Sequence, residues 1–200
     1  MDLVVATRNK DKLREIRALL KGLAVEVFSL DSFKGAPEVI EDGKTLEENA
    51  VKKAAQVSEF LKKFTVADDS GLEVDFLNGD PGVYSARFSG KGATYKSNNE
   101  KLLRLLKDVQ LAKRKACFKC VIAIADKGRI IGIAEGKCGG KIGFESKGRS
   151  GCGYDPVFIP DSYTKTFAEM GTSRKNKISH RSKALLKAKK IISKYLSLYQ

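Results

Sequence analysis

No apolar run in this 200-residue chain approaches the roughly 20 residues needed to span a bilayer. The N-terminus, Met1-Asp2-Leu3-Val4-Val5-Ala6, has no basic leader, and its apolar run is too short for a signal peptide. A soluble, cytoplasmic protein with no membrane partner is expected. Cysteine is scarce: Cys117, Cys120, Cys138 and Cys152. Cys117 and Cys120 have zinc-like CxxC spacing, but residues 116–125 read as a strand, where positions three apart face opposite sides. That spacing cannot close on one metal ion, so free buried thiols are expected. Histidine occurs once, at His180. There is no G-x-S-x-G elbow to support a serine hydrolase built on Ser70 and His180. No glycine-rich phosphate fingerprint, repeat or low-complexity segment is present.

Acidic residues are also in short supply, 24 against 38 basic ones, for a net charge of +14. That balance favours anionic partners: nucleic acid, nucleotides or phosphates. Nine of the basic residues fall between Arg174 and Lys194 with no acidic residue among them. A basic nucleic-acid-binding protein is therefore the alternative reading. It lacks interleaved aromatic platforms and recognisable motifs, and a lysine face on a helix is ordinarily just solvated.

What is present, 42% apolar and 31% charged residues, suits a single domain spanning 1–200 with two lobes and a real core. The pattern is α/β with a mixed sheet. Leu3-Val4-Val5-Ala6 reads as a strand, Thr7-Arg8-Asn9-Lys10-Asp11-Lys12 as a polar loop, and Leu13, Ile16, Leu19 and Leu20 as one face of a helix. A helix N-terminus with Lys10 and Lys12 nearby is a natural phosphate site, although an Asn cap with solvated lysines reads equally well. Val25–Phe28 reads as a second strand. Residues 29–44 form a long acidic loop containing Glu41. Thr45-Leu46-Glu47-Glu48 is a capping box opening a helix over 46–63, striped by Leu46, Ala50, Ala54, Val57, Leu61 and Phe64. Lys53 sits at the edge of that stripe and either snorkels to water or points along the helix into a cleft.

Ala67-Asp68-Asp69-Ser70-Gly71 follows as an expected strand end meeting a turn, with two adjacent carboxylates. It is open between a plain turn and a metal or general-base site. Leu72–Leu77 reads as another strand, 98–107 as a helix and 116–125 as a strand. Asp126-Lys127-Gly128-Arg129 reads as a hairpin turn. A last helix from about Ser182 has Leu185, Ala188, Ile192, Tyr195 and Tyr199 inside and Lys183, Lys187, Lys190 and Lys194 outside.

Taken in order, these stretches resemble the ITPase family, pyrophosphatases that remove inosine and xanthosine triphosphates from nucleotide pools. Thr7–Lys12 resembles its T-x-N-x-x-K loop, and Glu41-Asp42-Gly43 its E-x-G with Glu48-Asn49-Ala50 following. Ala67–Leu72 is similar to its central motif, and Pro81–Arg87 to P-G-x-Y-S-A-R. Gly153-Tyr154-Asp155-Pro156 and Ile178-Ser179-His180-Arg181 complete the set. The resemblance implies an elongated mixed sheet flanked by helices, two lobes with a central cleft, a homodimer and Mg²⁺. It implies hydrolysis of a purine nucleoside triphosphate (ITP, dITP or XTP) to the monophosphate and pyrophosphate. It makes Asp69 the base or the metal-linked activator of the attacking water and gives Mg²⁺ to Glu41 and Asp69. Thr7, Arg8, Asn9, Lys10, Asp11, Lys12, Lys53 and Ser70 fall to the triphosphate. Cys152, Gly153, Tyr154, Asp155, Lys175, His180 and Arg181 fall to the nucleoside. Cys152 stands where many relatives carry Phe, so any stacking on the base would come from Tyr154 or Phe33.

Overall fold

The computed structural model describes residues 1–198. Tyr199 lies outside them. The elements in chain order are β1 (Asp2–Val5), α1 (Lys10–Leu20), β2 (Glu26–Ser29), α2 (Leu46–Leu61), β3 (Phe64–Val74) and β4 (Pro81–Gly82). They continue with α3 (Tyr95–Leu105), β5 (Lys115–Asp126), β6 (Arg129–Ile142), β7 (Phe158–Pro160), α4 (Phe167–Met170), α5 (Thr172–Ile178) and α6 (His180–Leu196). The strands form one seven-stranded sheet, β2-β1-β3-β5-β6-β7, with β4 pairing β3. It is mixed: β1 runs parallel to β2 and to β3, while β3/β4 and β6/β7 are antiparallel. The α/β expectation stands. Among the described residues, no helix is long and apolar enough to cross a membrane.

The chain divides into two compact units whose boundaries fall within β3, β5, β6 and the first turn of α6. The first comprises residues 1–69, 120–136 and 181–198. Its core is Leu3, Val5, Ile16, Leu20, Phe64, Val66, Ile122, Ile124, Leu185, Ala188 and Ile192, all essentially excluded from water. The alternating lysines of α6 (183, 187, 190 and 194) are exposed, as a 3.6-residue period demands of an amphipathic helix. The second unit comprises residues 70–119 and 137–180. Its core gathers Leu72, Val74, Leu102, Leu106, Phe118, Ile142, Val157, Phe158 and Phe167.

Several boundaries move. The Asp68–Asp69 pair is not at a strand end; β3 runs unbroken from Phe64 to Val74 and absorbs the first half of the expected Leu72–Leu77 strand. Turn-forming residues stay extended here because β3 is interior to the sheet, and neighbouring strands satisfy its backbone. Even so, the ladder with β1 ends at Val5↔Val66, two residues before Asp68. The pair thus lies past the carboxyl end of its parallel neighbour, the position where open α/β sheets place chemistry.

α3 starts earlier than its apolar pattern suggests because Thr94 and Ser97 form a capping box. α6 begins at His180 instead of Ser182. α2 ends at Leu61, with Lys62 in the left-handed region, and Phe64 opens β3 instead of closing the helix stripe. At the start of α2, Thr45 Oγ1 accepts from Glu48 N at 3.1 Å, but the Glu48 carboxylate returns to Lys44 N at 2.7 Å instead of to the cap residue. Thr45→Ala should therefore lower unfolding stability by about 1 kcal/mol, read from the midpoint of a urea titration at constant slope. The β5–β6 connection is the expected two-residue hairpin. Lys127 and Gly128 both have positive φ, the requirement of the tight turn that matches strand twist.

Candidate active site

Asn9 caps α1. Its Oδ1 accepts from Asp11 N at 2.9 Å and Lys12 N at 3.2 Å, while Thr7 Oγ1 accepts from Asn9 N at 3.2 Å. The loop 7–12 is thus both a capped turn and a helix N-terminus carrying positive potential. Its charged residues divide by exposure. Arg8 pairs with Asp31 at 3.0 Å in the open, Lys10 is exposed, and Asp11 contacts Arg14 at 3.6 Å. Lys12 instead turns inward, its Nζ 3.0 Å from Asp68 Oδ2.

Adjacent strand residues project to opposite faces, and this separates the two carboxylates. Asp68 meets Lys12 and Arg181; Asp69 accepts from Asn49 Nδ2 at 3.1 Å. The side-by-side repulsion expected of the pair is therefore not the governing term. Burial alone would raise the Asp68 pKa, but Lys12, Arg181 and Lys53 outweigh it and hold the carboxyl well below the usual range. Asp69 moves the other way. Burial pushes its pKa up and Glu41 adds to that, against the opposing pull of Lys12, Lys53 and the Asn49 hydrogen bond. For Lys12, burial disfavours the charge, yet Asp68 with Asp69 prevails over both burial and the repulsion of Arg181, and its pKa rises. One strand thus carries a fixed anion beside a carboxylate with raised proton affinity, the arrangement that separates acid–base roles.

Lys53 reaches from α2 to Glu41, its Nζ contacting Glu41 Oε1, and is largely buried instead of extending into solvent. Asn49 is held from behind by Gly43, whose N–H donates to Asn49 Oδ1 at 2.8 Å. A Cβ on Gly43 would fall 2.7 Å from that oxygen, so the glycine of E-x-G is needed for this approach. The donors around Asp69 suit a hard divalent ion: Glu41 and Asp69 are close enough to repel electrostatically, and both are oxygen ligands. Among the described residues, no group of three or more His, Cys, Asp or Glu gathers as a metal site. A two-carboxylate site fits an ion that fills its shell with water and phosphate oxygens, as Mg²⁺ does.

The remaining predicted residues fall in the second unit, apart from Arg181. Asp155 is buried; its Oδ2 accepts from Lys175 Nζ at 2.7 Å and from Cys152 N at 2.8 Å. Gly151 makes room for this: a Cβ there would lie 2.0 Å from the same oxygen. Gly153 O accepts from Asn99 Nδ2 at 2.9 Å. Tyr154 does not offer a stacking face. It is 3% exposed, packs in the core, and donates its hydroxyl to Ser85 O at 2.9 Å, with its pKa raised by burial. Tyr154 therefore does not replace the aromatic missing at Cys152. His180 is also buried, its ring stacked on Phe118 at 4.5 Å. Arg181 joins Asp68 and Glu15 in the first unit. Ser70 is half-buried in β3. The cysteines are free thiols, with Cys117 and Cys120 both on β5 as expected.

Sequence reasoning missed three participants. Asn49 was detectable as a polar residue inside an apolar stripe. Asp68 was noticed only as half of a pair. Glu15 gave no signal, because its partner lies 166 positions away.

A family model described as the Ham1 family matches residues 3–191. A dITP/XTP pyrophosphatase of Desulforamulus reducens is 51% identical over 97% of this chain and 96% of that protein. Among solved structures, a HAM1 protein from Coxiella burnetii matches at 36% identity with a TM-score of 0.89, covering 97% of this chain and 99% of that one. The Staphylococcus aureus Ham1 protein matches at 33% identity with a TM-score of 0.87, covering 98% and 100%. With its motifs in order, its fold matched and its length covered, this chain belongs to the Ham1 family.

Proposed function

We propose that this protein is a Mg²⁺-dependent nucleoside-triphosphate pyrophosphatase that converts ITP, dITP and XTP to the monophosphate and pyrophosphate, clearing deaminated purines from the nucleotide pool. The observation that carries the reading is the divergence of Asp68 and Asp69 on β3, one a locked anion beside Lys12 and the other a carboxylate with raised proton affinity. The name borne by the relatives supports the substrate class.

In this reading water attacks the α-phosphorus, the bond to the bridging oxygen breaks, and pyrophosphate leaves. Asp69 accepts the water's proton, and a base of raised pKa is better matched to neutral pH than an ordinary carboxylate. Lys12, Lys53 and the positive N-terminal end of α1 neutralise the phosphate chain, which matters more in phosphoryl transfer than covalent help. Thr7, Asn9 and Ser70 complete its hydrogen bonds. Glu41 and Asp69 would hold Mg²⁺, which supplies further charge neutralisation. On the nucleoside, Lys175 is the natural donor to the 6-oxygen shared by hypoxanthine and xanthine, with Asp155 fixing its position. The protein acts in the cytoplasm, where its substrates arise, and as a homodimer.

The deciding experiment is pyrophosphate release with ITP, dITP, XTP, GTP and ATP. The expected kcat/KM for ITP, dITP and XTP exceeds that for ATP by on the order of 10⁴-fold, because a donor-lined site leaves an adenine amine unpaired. GTP should also be slower. Comparable values for ATP and ITP would end the reading. Excess chelator should abolish release, and added Mg²⁺ should restore it; full activity in chelator would remove the ion.

A further inference from the structure

Lys12, Asp68, Arg181 and Glu15 form a chain of alternating charge. Asp68 Oδ2 takes Lys12 Nζ at 3.0 Å and Arg181 Nε at 3.3 Å, so a single oxygen serves two cations. The Nη1 edge of Arg181 is held by Glu15 Oε2. Glu15 and Lys12 lie three apart on α1, which places them on the same face of the helix. The side chains of Asp68, Arg181 and Glu15 are 1%, 5% and 11% exposed; that of Lys12 is the most open at 19%.

The two cations do not compete equally. A guanidinium is weakly hydrated and grips a carboxylate with two parallel bonds, whereas an ammonium is a strongly hydrated point charge on a flexible stem. Without a third party, Arg181 would take Asp68 by its fork and Lys12 would drift to the water it already touches. Glu15 holds the Nη1 end of the guanidinium, away from the Nε that faces Asp68. We propose that Glu15 is a positioning residue that draws Arg181 off Asp68 and thereby keeps Lys12 ordered for a phosphate group. The four formal charges also sum to zero, so no buried charge stands alone. The inference rests on the phosphate-binding role proposed for Lys12, and its test needs no turnover.

The test is titration calorimetry with inorganic pyrophosphate on the wild type, Glu15→Gln, Glu15→Gln/Arg181→Gln, Lys12→Met and Lys12→Met/Glu15→Gln. Glu15→Gln should bind about tenfold more weakly, the scale of one charge-assisted contact. Removing the competitor as well should restore binding to within about threefold of the wild type, since coupled residues are non-additive. In the Lys12→Met background, Glu15→Gln should change nothing further. A double variant as weak as Glu15→Gln, or an equal loss without Lys12, would show that Glu15 acts elsewhere. A wild type that does not bind pyrophosphate would overturn the proposal too. Should Glu15→Gln not fold, Glu15→Asp, which keeps the charge but falls short of Arg181, carries the same comparison. Turnover of ITP on the same wild type keeps the questions apart: its absence ends the pyrophosphatase reading, while the binding series still decides Glu15.

Discussion

Asp69→Asn should fold normally, melt no lower than the wild type, and lose on the order of 10²–10⁴-fold in pyrophosphate release. The loss follows from the proposed mechanism, in which Asp69 accepts the water's proton. Weakened ion binding beside Glu41 would deepen it. The thermal expectation comes from the same environment. Burial and Glu41 raise the Asp69 pKa, so the folded state disfavours its charged form. A group with a raised pKa contributes stability below its unfolded value and loses it as the pH climbs through the folded value. At neutral pH the wild-type carboxylate is therefore a net burden on the fold, and a neutral amide of the same shape relieves it. Its Oδ1 can still accept from Asn49. The measurements are pyrophosphate release and a thermal melt at pH 7. Wild-type turnover in the folded variant would remove Asp69 as the base, and a marked drop in melting temperature would contradict the assigned environment.

Asp68→Asn should behave in the opposite way on stability. Its pKa is held low by Lys12, Arg181 and Lys53 against the penalty of burial, so its ionised form is preferred in the folded state. That contribution is present above the unfolded value, near 3.8, and fades as the pH falls through the lower folded value. Removing one partner of a buried pair costs about 3–5 kcal/mol. The low end applies, because Glu15 still holds Arg181 and Lys12 keeps access to water. For a chain of this length about 3 kcal/mol corresponds to a melting temperature lower by about 10 °C. The deficit should shrink when both proteins are melted near pH 3, where wild-type Asp68 approaches protonation in the unfolded chain. Activity should fall as well, since Lys12 loses its anchor. An Asp68→Asn protein as stable as the wild type at pH 7 would refute the locked-anion assignment. Together the two variants separate neighbours that composition treats as identical.

The amino-acid sequence alone determined the elements with strong local signals. The amphipathic stripes of α2 and α6, the Thr45 cap and the two-residue hairpin at Lys127-Gly128 all arise from contacts within a few residues. Periodicity and turn chemistry report these directly. It also determined the family, because six motifs in fixed order survive as a linear pattern. Helix starts were less legible: α3 begins at Tyr95 and α6 at His180, where polar caps, not apolar stripes, set the boundary.

Only the tertiary structure decided what the Asp pair is. Locally, Asp-Asp-Ser-Gly prefers a turn; neighbouring strands keep it extended, and the pleat then sends the two carboxylates to opposite faces. From there each pKa depends on partners distant in sequence: Arg181 lies 113 positions from Asp68, and Asn49 lies 20 from Asp69. The same holds for Tyr154, whose motif position suggested a ligand contact but whose hydroxyl is used by Ser85, 69 residues away. Burial and Coulomb energy depend on distance in space, so a one-dimensional pattern names these residues without saying which carboxylate is held ionised, which has raised proton affinity and which side chain is core.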